Sequence, residues 1–175
     1  VQTILLLAAL FATSQLKFEQ AELITVILIL QLVAIVGAFI FAWVAGKIGN
    51  KGAIIIMLII WISICIVAYF VTEAGQFYAL ASSVGLVMGG IQSLSRSTYS
   101  KLLPTDTPDT TSYFSFYDIL EKSAIVIGTF IYGVIDQVFG MRFSVLALAV
   151  FFLVGILIMV FVKITPAVFH SAHDE

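Results

Sequence analysis

Five apolar runs, at residues 23–44, 53–71, 76–94, 113–138 and 143–164, fill most of the 175-residue chain. Each comes close to or exceeds the ~20 residues that an α-helix needs to cross a ~30 Å hydrocarbon core. Inside a bilayer the backbone has to satisfy its own hydrogen bonds, so such runs become helices or the strands of a closed barrel. Strands are excluded because the runs lack polar/apolar alternation and are about twice as long as a barrel strand. Composition agrees: 62% of residues are hydrophobic and 10% charged, too few polar side chains to cover the surface of a soluble domain. A mean hydropathy of +1.17 points the same way. The fold class is therefore all-α, a polytopic bundle in a lipid bilayer.

A shorter run opens the chain. Val1 to Thr13 falls well below a full span, and no basic stretch precedes it as a signal peptide requires, so it reads as the second part of a helix that begins upstream. The expected organisation is six transmembrane helices over residues 1–165, the first truncated, and a short cytoplasmic tail over 166–175. The connections are short and polar, as between antiparallel neighbours; only 95–111 is long.

Several function classes drop out. A net charge of −2 without a basic run offers nothing to nucleic acid. Cys65 stands alone in an apolar run, which leaves no intrachain disulfide and no metal-ligand spacing. No HExxH, GxSxG or paired-Asp motif is present, and His170 and His173 belong to the tail, so neither an enzyme nor a cofactor is expected.

Basic residues orient the bundle. With alternating loops, Lys47, Lys51, Arg96, Lys101 and Lys163 share one side, and only Lys17 and Arg142 occupy the other. The first side is then cytoplasmic, together with the C-terminus. Gly85 and Gly89 are four residues apart with Ala81 one turn earlier, and Gly90 follows: a ridge almost free of side chains that lets a neighbouring helix approach. Gly128 and Gly133 suggest a similar surface on the next span.

The remaining signal is charge where lipid should be. Asp118, Glu121 and Lys122 lie within about one turn inside the run 113–138. Each lone charge near mid-membrane costs at least ~2.5–3.5 kcal/mol, so such groups line a polar pathway or form an internal pair. Asp118 and Lys122 have the favourable i,i+4 order and are expected either to pair with each other or to present Lys122 to a cavity; Glu121 points about 100° away from Lys122. One span earlier, Arg96 is placed either to snorkel or to gate, and Gln92 lies one turn deeper on its face. Gln31, in mid-span, is expected to face protein.

The string Gly89-Gly90-Ile91-Gln92-Ser93-Leu94-Ser95-Arg96-Ser97, then Leu103-Pro104, then Phe114-Ser115-Phe116-Tyr117, Lys122 and Gly128, resembles the vacuole-effluxer-like permeases of the major facilitator superfamily. The resemblance implies the C-terminal six-helix half of a twelve-helix secondary transporter. It also implies movement of a small molecule, with amino-acid efflux as a candidate. Its partners would be the bilayer and the other six-helix half or a second copy, and its place a cell inner membrane. The connection 46–52 is similar to the superfamily's gating loop: Gly49 and Lys51 match, Lys47 stands for the arginine, and Gly46 replaces the aspartate. The competing expectation is a membrane scaffold that transports nothing.

Overall fold

The computed structural model describes residues 12–13, 17–103 and 110–162. The truncated first span, Pro104, Lys163, His170, His173 and the tail 166–175 fall largely or wholly outside them. The described residues form four long helices: α1 (Gln20–Phe70), α2 (Ala74–Leu102), α3 (Thr110–Phe139) and α4 (Met141–Phe161). Of these, α1, α2 and α4 are long and apolar enough to cross a membrane. The chain is an integral membrane protein. α3 has comparable length but carries Asp118, Glu121, Lys122 and Asp136.

The expected connection 46–52 shrinks to one residue. Gly49 has φ 80° and ψ 158°, and helix resumes on both sides of it. Gly140, between α3 and α4, has φ 86° and ψ 163°. This region of backbone space is essentially closed to residues with a Cβ, so glycine lets the chain break helix without a longer loop. At Gly49 it divides α1 into two arms.

The first arm runs parallel to α2. Leu30 meets Gly85, Ala34 meets Gly89, Phe41 meets Gly90, and beyond the arm's end Asn50 meets Thr98, so both sequences ascend together. A Cβ on Gly85 would sit 2.7 Å from the Leu30 carbonyl oxygen, and one on Gly89 would strike the Ala34 carbonyl. Gly37 faces the Leu86 backbone in the same way. The glycine ridge is thus a backbone-to-backbone seam, whose attraction in lipid comes from van der Waals contact. Gly133 makes no such approach: a Cβ there meets nothing within 4 Å. The neighbouring buried residue is Tyr132, grouped with Cys65 and Leu148, where a large side chain fills the gap between helices.

The second arm lies antiparallel to α4, and basic residues tie the pair at both ends. Lys51 Nζ donates to the carbonyls of Val160 (2.9 Å) and Val162 (2.7 Å), at the C-terminal end of α4. Arg142, at the start of α4, donates to the carbonyls of Tyr69 (2.9 Å) and Val71 (3.2 Å), where α1 ends. Each cation satisfies carbonyls left open at the partner helix's C-terminus, where the helix dipole also favours positive charge. Between them Trp61, fully buried, stacks on Phe152 with centroids 5.4 Å apart. Lys51→Met and Arg142→Met should each cost about 1–2 kcal/mol. The two costs should add, since the sites lie at opposite ends. Thermal melting of the full-length protein in detergent measures this; wild-type melting of both variants would show the caps to be idle.

Asn50 extends the tie to α2. Its Nδ2 donates to Thr98 Oγ1 (3.0 Å), while Lys101 Nζ donates to Asn50 Oδ1 (3.4 Å). The bend at Gly49, the end of α2 and the end of α4 therefore meet at one end of the bundle.

Candidate functional site

α2 is the most buried of the three long apolar helices, and what it leaves uncovered is unusual for this chain. Between Ala74 and Lys101 no large apolar residue is exposed, whereas α1, α3 and α4 each expose several, among them Phe39, Phe130 and Phe161. The open positions of α2 include Gln76, Ala79, Ser83, Ser93, Arg96 and Ser100, at spacings that keep them on one slowly winding face. The opposite faces carry Phe77, Val84, Val87, Ile91 and Leu94 into the core.

The C-terminal half of this face opens into a cleft of about 370 Å³ toward α3, lined by Gly89, Gln92, Ser93, Arg96, Tyr117 and Glu121. α3 packs its backbone closely against α4 and reaches α2 through side chains. Arg96 Nη2 lies 3.2 Å from Asp118 Oδ1 and 3.7 Å from Glu121 Oε2, so one nitrogen serves two carboxylates. The guanidinium carbon stands 5.8 Å from the Tyr117 ring centroid, a cation–π distance. Side-chain exposure is 58% for Arg96 and 53% for Asp118 but 28% for Glu121, so the weaker contact involves the more enclosed acid.

Four of the five residues singled out by intramembrane polarity thus come together: Gln92, Arg96, Asp118 and Glu121. The expected Asp118–Lys122 pair does not form; the partner of Asp118 is Arg96 on another helix. The cross-helix contact sets one guanidinium nitrogen between two carboxylates, where the positive charge serves both acids. Lys122 lies exposed outside the lining of the cleft. No hydrogen bond or ion pair joins it to another of the described residues. Gln31 is also exposed: among the described residues no protein neighbour covers it, and α1 turns Val26, Leu30, Gly37 and Phe41 toward the core.

Gln92 brings an unmet demand. Its Nε2 is buried and has no hydrogen-bond partner among the described residues. A buried donor of this kind calls for an acceptor from water or a ligand. Of the gating-loop residues, Lys51 and Gly49 act within the bundle as described, and Lys47 Nζ sits 3.7 Å over the Trp43 ring.

Polarity alone overlooked the aromatic residues beside these charges. Tyr99 donates its hydroxyl to the Tyr113 carbonyl (2.8 Å) and contacts Phe114 and Tyr117 with centroids 5.8 and 5.0 Å away. The available signal was spacing: Tyr99 follows Arg96 by three residues and Tyr117 precedes Glu121 by four. A second groove, of about 530 Å³, lies between the second arm and the start of α2, with Ile60, Ile64, Val67 and Leu80 in its walls. Ser63 and Ser83 also line it, but both bond back to their own helix, which leaves that groove mainly apolar. Among the described residues no group of three or more His, Cys, Asp or Glu could hold a metal ion.

Comparison with known proteins gives this arrangement its context. The chain is 31% identical over 150 residues to the uncharacterized MFS-type transporter YxiO of Bacillus subtilis, covering 85% of this chain and 35% of that protein. It is 29% identical over 162 residues to autophagy-related protein 22 of Pichia angusta, covering 85% and 28% of the two chains. For autophagy-related protein 22 of Saccharomyces cerevisiae the identity is 26%, with coverage of 82% and 29%. The chain therefore spans about a third of the length of these relatives. No solved structure matches. The family described as "Vacuole effluxer Atg22 like" matches residues 1–168, nearly the whole sequence, and the chain belongs to that family of MFS-type transporters.

Proposed function

We propose that the chain forms the C-terminal six-helix half of an alternating-access secondary transporter that exports a small molecule, with amino acids as the candidate class. In this reading residues 1–165 are the bundle and 166–175 the tail. Gly49 separates two of the six spans and the charged α3 is another. The protein sits in a cell inner membrane with its C-terminus in the cytoplasm.

One observation carries the reading: the exposed face of α2 holds no large apolar side chain between Ala74 and Lys101. In a chain that is 62% hydrophobic, a surface of serine, glutamine, alanine and arginine is suited to water or to a polar partner rather than to lipid. Secondary transporters place their sites between two repeats near the bilayer midplane, where such a face belongs. Arg96, Asp118, Glu121 and Gln92 supply charges and an open amide donor on that pathway. Lys122, on the exposed side of α3, is available to the other half or to the transported molecule.

Counterflow tests the proposal. The full-length protein in proteoliposomes should exchange at least one member of a panel of radiolabelled amino acids, which a non-transporting scaffold would not. Lys122→Gln, with normal expression and melting, should slow exchange on the order of tenfold, the factor that follows from losing ~1.4 kcal/mol at the site. Unchanged exchange in that variant would remove Lys122 from the pathway.

A further inference from the structure

Two polar groups that line the cleft between α2 and α3 form no hydrogen bond among the described residues, and they are of opposite kind. One is a donor: Gln92 Nε2, buried and without a partner. The other is an acceptor. The Glu121 carboxylate stands 3.7 Å from Arg96 Nη2, beyond hydrogen-bond length, and accepts from no other described side chain. Asp118 differs, because it takes the 3.2 Å bond from Arg96 and is about twice as exposed as Glu121. Tyr99 reaches Tyr113 where α2 ends and α3 begins, so a lower number on α2 and a higher number on α3 both lie farther from that end. Gln92 and Glu121 are therefore both set deeper along the cleft than the Arg96–Asp118 pair.

We infer that Gln92 and Glu121 are the specificity-determining pair of this cleft and hold the two ends of a small zwitterion. The Glu121 carboxylate accepts from an ammonium group, and the Gln92 amide donates to a carboxylate a few bonds away on the same molecule. An unmet donor and an unmet acceptor in one cleft of about 370 Å³ call for a ligand that carries both complements close together. A simple amine would leave Gln92 unmet. A simple acid would bring its own negative charge beside that of Glu121. Charge-assisted hydrogen bonds are the stronger kind, and partial enclosure strengthens them further. Arg96 and Asp118 satisfy each other and border the pair rather than compete for the ligand. The inference rests on the transport reading for the ligand's passage, although not for its binding.

Equilibrium binding to the full-length protein in detergent tests the pair. The probe is a radiolabelled mixture of the standard amino acids, displaced by the same mixture unlabelled, N-acetylated to remove the ammonium, or methyl-esterified to remove the carboxylate. Each modified mixture should compete about tenfold less well than the parent, the order of effect of one lost charge-assisted hydrogen bond. Glu121→Gln should bind the parent about tenfold more weakly and no longer prefer it to the N-acetylated mixture. Gln92→Leu should lose the preference over the methyl esters instead. A role confined to folding would weaken all three mixtures alike and leave both preferences standing.

Absence of binding by the parent mixture, or equal competition by the modified ones, would overturn the inference, as water filling both places would predict. Both results are read on the unaltered protein, so a variant that fails to fold does not shield the pair. A preference that survives its own substitution would overturn it as well. If the parent mixture binds with both preferences while counterflow is absent, the transport reading fails and the zwitterion site stands.

Discussion

Gly89→Leu in the full-length transporter is expected to abolish most of the folded yield. The substitution drives a side chain into the Ala34 carbonyl of the first arm, an atom that moves only if the whole helix moves. Overpacking ordinarily costs about 1–3 kcal/mol, and a backbone obstacle puts this case at or beyond the upper end. Gly37→Leu, which meets the Leu86 backbone, should behave alike. Gly46→Ala is the control, because nothing lies within 4 Å of its Cβ position. Thermal melting and size-exclusion yield in detergent decide the matter: a Gly89→Leu protein that melts with wild type would mean that α1 and α2 do not meet along this ridge.

Arg96→Gln should produce the second large effect, on transport rather than on stability. Arg96 and Asp118 are more than half exposed and the Glu121 contact is long at 3.7 Å, so the ion pairs contribute at most about 1 kcal/mol to folding. Removing the cation, however, leaves Asp118 and Glu121 as two like charges beside the cleft with nothing on α2 to hold them. Counterflow should fall by more than tenfold, equivalent to over ~1.4 kcal/mol. Arg96→Lys should recover only part of the rate, since a lysine keeps the charge but loses the guanidinium's contact with the Tyr117 ring. Adding Glu121→Gln to Arg96→Gln should restore part of the rate by removing one stranded charge. If Arg96→Gln transports at the wild-type rate, the three charged groups have no part in the pathway.

The two variants probe different kinds of information. Gly89 announced its role in the sequence: small residues at a four-residue spacing in an apolar run imply close approach whatever the partner. The apolar runs themselves were equally legible, because a bilayer imposes helix length directly on composition. The reversals at Gly49 and Gly140 were legible as connections but not in their economy. Only the backbone angles show that one glycine suffices in each.

Arg96 was harder to read. Its distance along the helix from Gln92 was evident, but its partners lie 22 and 25 residues later on a separate helix. The local i,i+4 rule favoured Lys122 for Asp118, and the structure chose the cross-helix guanidinium instead. The aromatic residues around the cleft carried no polarity signal at all, and mid-span polarity did not say which side of α1 would turn Gln31 away from this bundle's core.

The sequence by itself determined that this is a membrane-embedded helical protein, roughly where its spans lie, and which residue types are too costly to leave in lipid; it ended α2 near 94, whereas the helix runs on to Leu102. Those properties follow from chain-local physics: hydropathy, helix length and side-chain size. The tertiary structure alone decided that α2 lies along the first arm of α1, that Lys51 and Arg142 cap each other's helices, and that Arg96 divides itself between Asp118 and Glu121. These are choices among partners distant in sequence. They turn on how helices pack in three dimensions, which spacing along the chain does not encode.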